Sequence, residues 1–125
     1  MNHCIDLNGP INNYKLSQYL ESVDYIVIPS GIESIPVILS DALQKQYPII
    51  ATNVGDMGTL LTDYKIGYLA EKATPDSLLK ILSKAILNKD TVQYGMKELY
   101  KIFDPDLNAR NFLKELAHLQ SGNAP

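Results

Sequence analysis

Residues 25–52 read YIVIPSGIESIPVILSDALQKQYPIIAT, and the order of apolar runs in that stretch decides the fold. Tyr25-Ile26-Val27-Ile28 is an uninterrupted apolar run of strand length, the pattern of a parallel strand buried on both faces. Pro29-Ser30 ends it. Ser34 can cap the helix that follows, Pro36 suits its first turn, and Val37, Ile38, Leu39, Ala42 and Leu43 give it an apolar side. Tyr47-Pro48-Ile49-Ile50-Ala51-Thr52 is the next strand. The turn before it, Lys45-Gln46-Tyr47, has no glycine, so a left-handed helix end there requires a side chain to adopt it. The whole is a βαβ unit, in which ligands bind outside the carboxyl ends of the strands and anions favour the helix start.

Two carboxylates lie along this path, Glu33 just past the first strand and Asp41 inside the helix. If the residues between them rise helically, the two are about 12 Å apart, too far for a joint acid/base pair. That length is about the span between the sugar and the ribose of a nucleotide sugar whose diphosphate sits near the helix start. An acid at each end can accept hydrogen bonds from hydroxyls while backbone amides hold the phosphates. The same two residues also fit an ordinary loop glutamate and an aspartate on a helix's solvent face.

Outward from this unit, Ile5 to Leu7 reads as a short strand, and Asn12 can cap a helix carrying Leu16, Tyr19, Leu20 and Val23. Downstream, Gly58 to Asp63 makes a helical turn and Ile66 to Ala70 the last strand. Thr74 caps a helix with Pro75 at its first position and Leu78, Leu79, Ile81, Leu82, Ala85 and Ile86 on its apolar face. Asp90 with Gln93 resembles a capping box opening a helix to about Ile102. Phe103-Asp104-Pro105 breaks the chain before a final helix from about Leu107 to Leu119, whose apolar face (Phe112, Leu113, Leu116, Leu119) needs cover. The predicted fold is α/β, a Rossmann-like parallel sheet with flanking helices.

A chain of 125 residues with 46% hydrophobic content forms one domain with a core, not two. Net charge is −3 with acids and bases interspersed, and no basic stripe points to nucleic acid. No apolar run approaches the ~18 residues of a membrane span and no signal segment is visible, so the expectation is a soluble, cytoplasmic protein. A lone Cys4 beside His3 makes neither an internal disulfide nor a zinc pattern and reads as a small strand hydrophobe. His118 has no triad-like partner, and Lys15 and Lys45 read as solvated charges.

Asn8-Gly9-Pro10-Ile11, Leu16 through Leu20, the strand ending Pro29-Ser30, Glu33 with Asp41-Ala42, Pro48 through Thr52, Val54-Gly55 and Ile66-Gly67-Tyr68-Leu69 occur in that order. Together they resemble the C-terminal, donor-binding half of a group 1 retaining glycosyltransferase with the GT-B fold. The resemblance covers most of residues 4 to 88, and its most specific part is the acid-x7-acid signature between two buried strands. It implies transfer of a hexose from a nucleoside-diphosphate sugar to a hydroxyl, with retention at the anomeric carbon and no metal. Glu33 then falls on the catalytic-site position that contacts the donor sugar and Asp41 on the ribose. Gly9, Pro10 and Ile11 lie against the base, and the amides of Ser34, Ile35 and Val37 face the diphosphate.

The departures from the family pattern have consequences of their own. The second acid is Asp rather than the usual Glu, one methylene shorter. The usual Val-Gly-Gly-x-x-Glu is here Val54-Gly55-Asp56-Met57-Gly58-Thr59, which loses a glycine and a carboxylate and adds a negative charge beside the diphosphate position. Gly55 and Gly58 also fit simple loop punctuation. The family's first strands, and the Arg and Lys that neutralise the diphosphate, would belong before Met1. Residues 1–120 are therefore expected to be a partial nucleotide-sugar-binding domain, with 121–125 a disordered tail, and the chain to be inactive by itself. Beyond the nucleotide sugar, the expected partners are a second copy or a chain supplying the N-terminal half. They would cover the edge beside the Tyr25 strand and the final helix. The alternative from another class is a noncatalytic Rossmann-like remnant or interaction module pairing with another chain, which Asp56 and Thr59 favour and the acid pair opposes.

Overall fold

A computed structural model describes residues 5–88 and 95–120. Cys4, the capping pair at Asp90 and Gln93, and the tail 121–125 lie outside them. The elements run α1 (Asn13–Leu20), β1 (Ile26–Ile28), α2 (Ile38–Lys45), β2 (Ile49–Thr52), α3 (Met57–Tyr64), β3 (Gly67–Ala70), α4 (Pro75–Leu87), α5 (Met96–Phe103) and α6 (Pro105–Gln120). The three strands form one parallel sheet in the order β1-β2-β3, with Ile26 opposite Ile49 and Ile49 opposite Gly67. The α/β class and the parallel sheet predicted from the sequence are both present.

Side chains alternate across a strand, and the core divides accordingly. Ile26, Ile28, Ile49 and Ala51 point to one face, where Leu39, Leu43, Met57, Leu61, Met96 and Leu99 of α2, α3 and α5 meet them. Ile50 and Tyr68 point to the other, against Ala85, Leu78, Ile81 and Leu82 of α4. There Tyr25 and Tyr68 stack edge to face at 6.2 Å, and their hydroxyls donate to the carbonyls of Ala85 (3.0 Å) and Asn88 (3.2 Å).

The central strand β2 is buried throughout, but β1 is not the doubly buried strand its apolar run suggests: Val27 is 41% exposed. The reason is width. A helix about 10–12 Å across covers roughly two strands spaced ~4.8 Å apart, and α4 sits over β2 and β3. Ile5 to Leu7 is likewise not a strand; it pairs with neither edge, and Ile5 and Leu7 are exposed. Three residues with no ladder and no buried face gain nothing from extended pairing. The segment is tied down instead at Asn8, whose Oδ1 accepts from the Tyr19 hydroxyl at 3.1 Å.

Helix ends follow the caps only in part. Asn12 and Thr74 accept from the amides of Lys15 (2.9 Å) and Ser77 (3.4 Å) as predicted. Gln46 takes the left-handed conformation (φ 60°) that ends α2, and Lys65 does the same (φ 51°) after α3. Ser34 does not cap α2, which starts at Ile38. The residue before a proline is disfavoured in the helical region, which weighs against a helix running from Ser34 through Ile35 into Pro36. Phe103-Asp104-Pro105 is more than a break: Asp104 Oδ1 accepts from the amides of Asp106 (2.9 Å) and Leu107 (3.1 Å), so α6 begins at Pro105, two residues before the expected start.

Candidate functional site

The site begins where β1 ends. Thr52, the last residue of β2, is 3% exposed, and its Oγ1 donates to the Ser30 carbonyl at 2.6 Å, with the Ile28 carbonyl 3.4 Å away. A buried hydroxyl has to find a partner, and here the partner is the turn by which the chain leaves β1. Thr52 thus fixes the takeoff of the loop 29–37. The sequence reading used Thr52 only as a strand residue; the signal was a lone hydroxyl closing an otherwise apolar strand.

The same loop is held from a second direction. Val54 to Met57 turns tightly, with the Val54 amide donating to Thr52 O (3.0 Å) and the Met57 amide to Val54 O (3.2 Å). Gly55 at the tip has φ +52°, and a Cβ there would fall on the carbonyl oxygens of Glu33 and Ser34. Gly55 is therefore the seat of the Glu33 loop rather than mere punctuation. Gly58 differs, since a Cβ there would meet only the end of the exposed Asn53 side chain, which can swing aside.

Glu33 is half-buried on this seat, and its Oε1 accepts the Ser34 amide at 3.1 Å. Of the amides expected at the diphosphate position, that of Ser34 is thus engaged by the acid itself. Among the described residues, those of Ile35 and Val37 donate to nothing, and so does that of Ile38, the first residue of α2, which the sequence reading missed. Leu39 and Ser40 donate back to the carbonyls of Pro36 and Val37, both at 3.0 Å. The unpaired amides of Val37 and Ile38 lie at the positive end of α2, where the helix dipole favours negative charge.

Asp41, half-buried in the first turn of α2, lines a cleft of about 220 Å³ between α1 and α2. Leu16, Leu20 and Val37 make its apolar wall; Asn13, Ser17, Gln44 and Lys45 supply polar groups. Lys45, read from the sequence as a solvated charge, thus lines the same cleft as Asp41. Gly9 (φ +63°), Pro10 and Ile11 lead directly into Asn12 and α1 and are exposed. The structure therefore brings Val37 and Asp41 to one cleft with the helix that follows Gly9 to Ile11. Glu33, Ser34 and Ile35 do not line that cleft. Only the last part of the path from Glu33 to Asp41 is helical, so the even helical rise assumed from the sequence does not apply. Asp56, at the start of α3 next to Gly55, is exposed and makes no side-chain cap.

Residues 2–101 match the family model of group 1 glycosyl transferases, and the chain belongs to that family. It is 28% identical over 102 residues to an uncharacterized glycosyltransferase of Methanocaldococcus jannaschii, covering 79% of this chain and 29% of that protein. It is 23% identical over 107 residues to a D-inositol 3-phosphate glycosyltransferase of a Nocardioides species, covering 83% of this chain and 23% of that protein. A protein of the same name from Jonesia denitrificans is 25% identical over 107 residues, 83% of this chain and 25% of its own length. The chain thus spans between 23% and 29% of the length of these relatives. Among the described residues no helix is long and apolar enough to cross a membrane.

Proposed function

We propose that this chain is the donor-binding part of a retaining glycosyltransferase of GT-B architecture, which moves a hexose from a nucleoside-diphosphate sugar to a hydroxyl acceptor. The observation that carries the reading is the different placing of the two acids. Glu33 stands on a loop seated by Thr52 and Gly55, Asp41 lines the α1–α2 cleft, and the amides of Ile35, Val37 and Ile38 lie between them in sequence. In this reading Glu33 accepts hydrogen bonds from the donor sugar, Asp41 accepts from the ribose, and the three amides bind the diphosphate without a metal. The base rests against Gly9 to Ile11. Family membership supports a nucleotide sugar as the donor. Asp56 beside the diphosphate position opposes tight binding, and a dissociation constant near 1 mM, about −4 kcal/mol, is expected.

The test is a titration of the chain with uridine diphosphate and, in a parallel series, guanosine diphosphate, followed by amide chemical shifts. Saturable shifts at Gly9, Ile11, Ile35, Val37, Ile38 and Asp41 are expected with at least one of them. Shifts confined to other surfaces, or none with either nucleotide, would remove the donor-binding reading.

A noncatalytic interaction module is the second reading, and one observation favours it. Phe112, Leu113, Leu116 and Leu119 of α6 are 63%, 63%, 40% and 61% exposed, and no residue of that helix is buried. An apolar stripe of this kind is suited to a partner's surface. Concentration-independent sedimentation as a monomer would count against self-association through it.

A further inference from the structure

Beside the Val54–Met57 turn lies a second, wide-open cleft of about 390 Å³ that the donor reading does not use. Its lining comes from two directions. Asn53 leaves the end of β2, and Thr59, Thr62 and Asp63 come from α3, where spacings of three and four residues put them on one face. Leu69 of β3, half-buried, closes the back. Gly58 lets Asn53 lie against the first turn of α3, where any Cβ would displace it. Among the described residues the side chains of Asn53, Thr59, Thr62 and Asp63 make no hydrogen bond, so an amide, two hydroxyls and a carboxylate all remain available.

The chemistry of this lining selects its ligand. Amide and hydroxyl groups both donate and accept, and the carboxylate accepts from two donors, which matches a ligand carrying several neighbouring hydroxyls. The single charged residue in the lining is Asp63, so a phosphate or carboxylate would meet repulsion and no counter-charge. The apolar wall at Leu69 suits the C–H face of a sugar ring. Gly55 belongs to this cleft and also backs onto the carbonyls of Glu33 and Ser34, so the cleft and the Glu33 loop share one wall. We propose that the Asn53–Thr59–Thr62–Asp63 cleft is a second sugar subsite that takes a neutral glycosyl unit separate from the donor nucleotide sugar. Its biological role, holding a unit of the acceptor or product glycan, rests on the glycosyltransferase reading above.

The experiment follows amide and Asn side-chain shifts of the full chain while methyl α-glucoside, methyl α-mannoside and methyl α-galactoside are added in turn, each with and without uridine diphosphate. At least one glycoside is expected to produce saturable shifts at Asn53, Thr59, Thr62 and Asp63, unaltered by the nucleotide. Thr62→Val and Asp63→Asn, both at exposed positions, should each weaken that binding at least fivefold while leaving the rest of the spectrum and any nucleotide-induced shifts in place. No saturable shift at these residues with any glycoside, or binding that both variants leave intact, would overturn the subsite. So would shifts here with uridine diphosphate glucose but with none of the methyl glycosides, because the donor's own sugar would then be the occupant. The nucleotide arm reads different residues, so failure of the subsite and failure of the donor site are separately visible.

Discussion

Glu33 and Asp41 look alike in the sequence, two acids with seven residues between them, yet they depend on different parts of the molecule. Glu33 stands on a loop with no secondary structure of its own and owes its position to β2 and the turn after it, through the Thr52 hydroxyl and the space above Gly55. Asp41 sits on a regular helix, α2, which packs against α5 and faces α1 across the cleft. A carboxylate on a loop is placed by its neighbours' hydrogen bonds; one on a helix is placed by the helix's own packing. Damage to one support should therefore leave the other acid's function largely in place.

The sharpest way to break the comparison is Gly55→Val. A β-branched residue at φ +52° is strained by about 1–3 kcal/mol, and its Cβ would displace the Glu33 and Ser34 carbonyls. With the added overpacking we expect a loss of about 3–4 kcal/mol in chemical denaturation. In whatever fraction stays folded, nucleotide-sugar binding should fall more than nucleotide binding. Leu20→Ala tests the other support. Leu20 is the buried residue of α1, and its truncation should cost about 2–3 kcal/mol, with nucleotide and nucleotide-sugar binding weakened alike.

Smaller effects refine the same contrast. Thr52→Val keeps the shape but leaves the Ser30 carbonyl without its donor, at a cost of about 1–3 kcal/mol. Its binding defect should resemble that of Gly55→Val and not that of Leu20→Ala. Lys65→Gly relieves the left-handed end of α3 and should stabilise the chain by about 0.5–1 kcal/mol, seen as a raised denaturation midpoint with nucleotide binding unchanged.

Much of the scaffold was legible because its signals are local. Alternating apolar runs and capped segments announced the parallel sheet, and Thr74-Pro75 and Asn12 marked helix starts that the structure keeps. What stayed hidden depends on what lies opposite each residue. Val27 belongs to an unbroken apolar run, but no helix reaches over β1 to bury it. The periodicity of α6 shows that it has an apolar face, not that the face is covered; α5, by contrast, buries Met96 and Leu99 completely. At the candidate site both acids were visible as a spaced pair. Their supports were not, because Thr52 and Gly55 act across the fold on residues about 20 positions away. The start of α2 was misread for a local reason, the effect of Pro36 on Ile35, which the sequence did contain.

The separate duties proposed for the two acids are tested most directly by titrating the unmodified chain, Glu33→Gln and Asp41→Asn with a free nucleoside diphosphate and with the corresponding nucleoside-diphosphate glucose. Glu33→Gln should weaken the nucleotide sugar alone, because only the sugar reaches it. Asp41→Asn should weaken both ligands, because both carry the ribose. Each lost charge-assisted hydrogen bond should cost on the order of 1.5–3 kcal/mol, roughly a tenfold to hundredfold rise in Kd. Unchanged binding of both ligands in both variants would contradict the account and leave Glu33 and Asp41 as surface charges.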